Sequence, residues 1–140
     1  EVQDVIKRFL PSDSVKVPSM DEMFLNLNQV YERVGGGTGD IIVGNKVEQD
    51  VEVDDGDVQL RSLKTFDEAT HLVAKIRKEI TRELRLTCSA GIGQNFMLAK
   101  MAADVQKPNG QFCVPVVNKS RLAWLRGQSV RKVSGVGKVT

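Results

Sequence analysis

The sequence predicts an α+β domain: an antiparallel or mixed sheet with helices packed on one face. Two observations carry that expectation. Two-residue apolar alternation trades places along the chain with helical stripes, and the first two strands follow closely enough to pair as a hairpin. The expected order is helix, strand, strand, insertion, helix, strand, helix, strand, helix, with no internal repeat.

Residues 1–10 (EVQDVIKRFL) place Val2, Val5, Ile6, Phe9 and Leu10 at helical spacing, and Pro11 ends the run. A short strand over 15–17 follows, and Pro18 and Ser19 make a tight connection into a strand over 22–28. The next stretch, 29–64, changes character. It is rich in Gly and Asp, most clearly from residue 32, and periodic only at Ile41-Ile42-Val43, which predicts a partly disordered surface insertion. Order is expected to return at Thr65-x-x-Glu68, whose form is that of a helix capping box. Leu72, Val73, Ile76, Ile80 and Leu84 then form one apolar stripe. Leu86, Cys88, Ala90 and Ile92 alternate with small or polar residues, the period of a half-buried strand. Asn95 is placed to cap a helix reaching Asp104, residues 107–110 (KPNG) form a turn, 111–116 a strand, and 118–126 a short helix carrying Trp124.

Composition excludes some classes. Of the 140 residues, 41% are hydrophobic and 27% charged, which suits one globular domain. No apolar run approaches the roughly 20 residues of a membrane-spanning helix, and no secretory leader opens the chain. The chain begins at Glu1 and stops at Thr140 within a motif, so a piece of a longer protein is expected. Cys88 and Cys113 lack metal-ligand spacing and His71 is alone, which favours a reduced intracellular compartment over zinc or disulfides. The net charge of +2 hides an asymmetry: residues 48–57 hold six acids and no base, whereas residues from Lys100 onward are strongly basic. One side of the molecule is therefore suited to an anionic partner, although a charge run is more often a solvated surface.

Several patterns carry no site. Gly39 to Gly44 has phosphate-loop spacing, but Asn45 stands where Lys is required. The acidic stretch 48–57 fails as a calcium loop because Val51 and Val53 fall at ligand positions. Asp21-Glu22 is different. Neighbours within a regular strand point to opposite faces, so two adjacent carboxylates converge only where the pleat is broken, as at a hairpin turn. Convergent carboxylates call for a cation, and magnesium accepts one or two of them together with phosphate oxygens. A solvated turn is the plainer alternative.

Four stretches occur in order: SMDEMFLNL (19–27), TCSAGIGQNFMLAKMAAD (87–104), KPNGQF (107–112) and SVRKVSGVGKVT (129–140). Together they resemble the palm and start of the thumb of Y-family translesion DNA polymerases, nearest the kappa, or DinB-like, branch. The resemblance covers nearly the whole chain outside the insertion. It implies a ferredoxin-like polymerase palm over 1–128 and an incomplete helix-hairpin-helix of the thumb over 129–140. It also implies translesion synthesis, with deoxynucleotides added to a primer by two-metal nucleotidyl transfer. Asp21 and Glu22 match the family's second carboxylate cluster, which is catalytic and binds Mg2+, with Mn2+ as a substitute. Lys107 matches the lysine that reaches the triphosphate of the incoming nucleotide. Gly135, Val136, Gly137 and Lys138 match the loop whose amides hold a DNA phosphate, and Lys100 matches a recurrent palm lysine without an assigned role. The implied partners are primer–template DNA and deoxynucleoside triphosphates, with a processivity clamp engaged through other regions. The implied location is the nucleus, with the mitochondrion as alternative, and no membrane is involved.

The pattern also departs from the family. A further aspartate on the first palm strand, the fingers, the little finger and the second thumb helix have no counterpart, so the isolated chain is expected not to extend a primer. Met23 and Pro18 replace a small residue and a strand residue with a free amide. Two rivals keep some of these features. A nucleotidyl cyclase shares an acidic pair on such a hairpin but has no use for KPNG, and a non-catalytic DNA-binding relative would keep the basic end.

Overall fold

A computed structural model of the chain describes residues 1–27, 55–133 and 135–137. Helix α1 spans Val2–Lys7. A 3-10 turn, Ser12–Ser14, leads into strand β1, Val15–Lys16, which pairs antiparallel with β2, Phe24–Leu25. Helix α2 covers Asp55–Leu84. Strand β3 (Ala90–Ile92), helix α3 (Phe96–Ala103), strand β4 (Gln111–Cys113) and helix α4 (Asn118–Arg126) follow, and a 3-10 turn, Val130–Lys132, comes last. β3 and β4 are parallel, Ala90 opposite Gln111 and Ile92 opposite Cys113, so α3 is the crossover of a β-α-β unit. The fold is α+β, with one antiparallel and one parallel strand pair among the described residues.

The helical period of α2 builds the main core. Phe66, Ala69, Val73, Ile76 and Ile80 are buried on one face against Val5, Ile6 and Leu10 from the α1 region and against Leu27, Ile92 and Ala99. Each large aliphatic among them contributes about 1.5–3 kcal/mol by leaving water. Arg8 ties α1 to α2 at the rim, with Nη2 donating to Glu83 Oε2 at 2.6 Å. A second cluster, Leu98, Ala102 and Val114, is closed by Phe112, Trp124 and Leu125. Trp124 stacks on Phe112 with ring centroids 5.7 Å apart. Adjacent residues Leu98 and Ala99 thus send α3 into both clusters.

The contact between β3 and α3 requires glycine. A Cβ on Gly91 would lie 2.0 Å from the Ala99 carbonyl oxygen and 2.2 Å from the Ala103 amide nitrogen, both rigid backbone atoms. Asn95 caps α3 as expected, its side chain accepting from the Leu98 amide at 2.8 Å. α4 has the expected bounds, and the apolar stripe of α2 faces inward, with Leu72 and Leu84 partly buried beside it.

Three expected element bounds are corrected, and one expected stretch lies largely outside the described residues. α2 begins ten residues before Thr65, so Thr65 and Glu68 lie within the helix and not at its cap. A Thr and a Glu three apart also occur inside helices, where Glu is a good former, so the signal is degenerate. The expected insertion lies outside the described residues up to 54, and its last ten residues are helical. The strand expected from residue 86 is confined to Ala90–Ile92, and Leu86 is 50% exposed beyond Arg85, whose φ of 55° turns the chain out of the helix. Of the strand expected over 22–28, the described residues up to 27 pair only at Phe24–Leu25, since Glu22 precedes the paired register, and residue 28 lies outside the described residues. Pro18 is exposed in the connection, and Met23 is half-buried against the main core.

Candidate active site

Residues 17–23 connect β1 to β2, with the backbone bent at 18–21. Asp21 and Glu22 lie in this connection, outside the pleat that would send them to opposite faces. Asp21 is exposed, and its Oδ1 accepts from Ser19 Oγ at 3.0 Å. Glu22 Oε1 lies 3.4 Å from Lys100 Nζ on α3. Packing beneath the pair fixes that approach: Phe24 of β2 sits edge-on to Phe96 at the start of α3, centroids 4.8 Å apart. Lys16 Nζ lies 5.7 Å from the same ring.

Lys107 comes to this side through α3. Asp104 ends α3 as its C-terminal cap, and Lys107 follows in the turn beyond, where its Nζ meets Asp104 Oδ1 at 2.7 Å. Its ammonium is held above the ordinary lysine value, chiefly by the Asp104 hydrogen bond and charge and further by the charges of Glu22 and Asp21. The turn after Lys107 is closely folded. Asn109 has a φ of 50°, and a Cβ on Gly110 would lie 2.2 Å from the Gln106 carbonyl oxygen.

The sequence-predicted residues thus fall in two places. Asp21, Glu22, Lys100 and Lys107 gather at one end of α3 and the hairpin. Gly135, Val136 and Gly137 lie exposed after the last 3-10 turn, and among the described residues no hydrogen bond or ion pair joins them to the acids. That turn is capped by Ser129 Oγ, which accepts from the Arg131 amide at 3.3 Å, and the Val136 amide donates to the Val133 carbonyl at 3.1 Å. Gly135 has a φ of 87° with open space around a would-be Cβ, so backbone conformation and not crowding calls for glycine there. Lys138 lies outside the described residues. Asp104 and Ser19 were missed as members of the site. No local signal marks the first, because α3 ends at Ala103 and the Asp104–Lys107 pair forms in the turn beyond it.

The donor set suits a hard divalent cation. Two carboxylates leave the backbone at consecutive positions, and among the described residues the half-exposed Glu22 is held by an ammonium that can exchange. Among the described residues no three His, Cys, Asp or Glu side chains come together to hold a metal. An ion here would take its remaining oxygens from water or a phosphate-bearing ligand, as magnesium does. The two lysines beside the acids favour such an anion.

Comparison with known proteins places the chain in a family. The model of the impB/mucB/samB family matches residues 1–104. DNA polymerase IV of Metallosphaera sedula is 34% identical over 140 residues, covering 96% of this chain and 39% of the relative. DNA polymerase kappa of Caenorhabditis elegans is 44% identical over 71 residues, covering 45% of this chain and 12% of the relative. The human DNA polymerase kappa is 43% identical over 72 residues, covering 51% and 8%. The chain thus spans well under half the length of the relatives it matches. The match over 1–104 shows that the chain belongs to the impB/mucB/samB family, the Y-family domain that its motifs resemble.

Proposed function

We propose that the chain is part of the palm, with the start of the thumb, of a template-directed DNA polymerase that copies damaged templates. In the reaction, a primer 3′-hydroxyl attacks the α-phosphate of a deoxynucleoside triphosphate and pyrophosphate leaves. The observation that carries this reading is the hairpin's approach to α3, with Glu22 Oε1 3.4 Å from Lys100 Nζ and Lys107 paired to Asp104 just past the end of the same helix. Family membership and relatives named DNA polymerase kappa and DNA polymerase IV support it.

Asp21 and Glu22 would hold magnesium, or manganese in its place. That ion supplies activation of the attacking hydroxyl and charge neutralisation at the transferring phosphate. Lys100 keeps the Glu22 carboxylate placed and partly neutralised until the ion is taken up. Lys107 leaves Asp104 for the triphosphate and offsets its charge, and Asp104 holds the lysine ready beforehand. The exposed turn at 135–137 offers backbone amides to a DNA phosphate, a contact that positions a duplex without reading sequence. A ferredoxin-like palm is the architecture this reading assigns to the two strand pairs and their helices. The full protein would take primer–template DNA and deoxynucleoside triphosphates, meet a processivity clamp through other regions, and act in the nucleus. The mitochondrial alternative has no support.

Titration of the chain with Mg2+ and then a deoxynucleoside triphosphate, followed by amide NMR, tests the assignment. Resonances of 19–24 should move with the ion and those of 107–110 with the nucleotide, and Asp21→Asn with Glu22→Gln should remove the first response. An undiminished magnesium response in that double variant would overturn the site. The chain alone is expected not to extend a primer, and metal-dependent incorporation by it would overturn the proposed division of the active site.

A further inference from the structure

Arg77 lies on α2, outside the gathering of acids and lysines, yet it reaches toward the same turn. Its Nε donates to the Cys88 carbonyl at 3.0 Å, Nη1 to Gln111 Oε1 at 3.1 Å and Nη2 to Asn109 Oδ1 at 3.0 Å. These acceptors belong to the chain entering β3, the first residue of β4 and the turn between α3 and β4. One half-buried guanidinium therefore spans three segments with its rigid fork. Gln111 completes the brace, since its Nε2 donates back to the Thr70 carbonyl of α2 at 3.0 Å.

The turn this brace holds is one the backbone alone disfavours. Asn109 has a φ of 50°, in the left-handed region, and the following Gly110 is pressed against Gln106. The Gly110 carbonyl accepts from the Ala90 amide at 3.0 Å, which fixes the far side of the turn to β3. Lys107 stands two residues before Asn109 at the open end, and among the described residues the exposed Asp104 pair holds its tip. The direction in which Lys107 leaves the backbone is thus set by a turn whose anchor is Arg77.

We propose that Arg77 is a positioning residue for triphosphate binding, acting through the 107–110 turn to aim Lys107 and touching no substrate itself. The proposal rests on the reading of Lys107 as the triphosphate lysine. A lysine at position 77 would keep the charge but offer one compact ammonium in place of a fork, so it cannot hold all three acceptors.

The test measures binding of a deoxynucleoside triphosphate with Mg2+ to the 140-residue chain by NMR, in wild type, Lys107→Ala, Arg77→Ala, Arg77→Lys and the Arg77→Ala/Lys107→Ala pair. Lys107→Ala should weaken binding about ten-fold and Arg77→Ala about five-fold, with Arg77→Lys failing to restore it. In the Lys107→Ala background the Arg77 change should add nothing, the mark of a residue acting through another. Amide relaxation at 107–110 should show a loosened turn in Arg77→Ala while the core resonances of Ile76 and Ile80 stay in place. Asn109→Gly serves if Arg77→Ala does not fold: it removes one acceptor, suits the positive φ, and should weaken binding about three-fold. Wild-type affinity in Arg77→Ala or Asn109→Gly, additive effects in the pair, or rescue by Arg77→Lys would each overturn the positioning role alone. Failure of Lys107→Ala to weaken binding, or no binding by wild type, would overturn the reading beneath it and the positioning role with it.

Discussion

The β3–α3–β4 unit and the 17–23 connection lie against each other and are held by opposite means. Shape holds the first: Gly91 lets two backbones touch, Leu98 and Ala99 fill clusters on either side, and Asn95 closes the helix end. Charge and one hydroxyl hold the second, through the Glu22–Lys100 and Ser19–Asp21 contacts. Close packing tolerates no exchange of partners, whereas exposed ion pairs are individually weak and exchange readily. The rigid part therefore supplies the lysines, and the loosely tied part supplies the acids.

That division makes graded predictions. Gly91→Ala should be the most damaging, about 4 kcal/mol or more by denaturant unfolding, because no flexible side chain can yield to the added methyl. A smaller loss would mean that α3 can slide on β3. Leu27→Ala, at a fully buried position just past the hairpin, should cost about 3 kcal/mol. Met20→Ala in the connection itself should stay within about 0.5 kcal/mol, since Met20 is fully exposed.

Cys113 adds a pH dependence to the packed unit. Burial pushes its thiol up to about 11 from an ordinary 9.0. Above pH 9 the unfolded chain releases this proton while the folded chain retains it. Stability should therefore fall between about pH 9 and 11, by about 2 kcal/mol, and Cys113→Ala should flatten that slope. Asn95→Ala should cost about 1 kcal/mol through the lost cap. Asp21→Asn should likewise stay within about 0.5 kcal/mol, while weakening the magnesium response at 19–24. A large stability loss there would show that the acid is part of the scaffold.

Local signals made much of this legible in the sequence. The cap at Asn95, the bounds of α4 and the inward stripe of α2 each depend on residues within a few positions of one another. Strand lengths did not follow from alternation, because pairing ends where a partner's amides and carbonyls end: β1 and β2 are two residues each. For the site, the order of motifs pointed to the acid pair and Lys107, but the Asp104 pairing depends on where α3 ends. The bracing by Arg77 was illegible, because its acceptors lie 11, 32 and 34 residues away. Nothing in local composition reports such a reach.

The chain's only tryptophan, Trp124, lies nearly flat on the central residue of β4, with 26° between the rings. Its emission is thereby an optical gauge of the smaller apolar cluster and of the strand that Arg77 braces. Loss of the larger core and loss of the smaller one can consequently be timed apart, one by backbone dichroism of the long helix and the other by fluorescence, without any attached label.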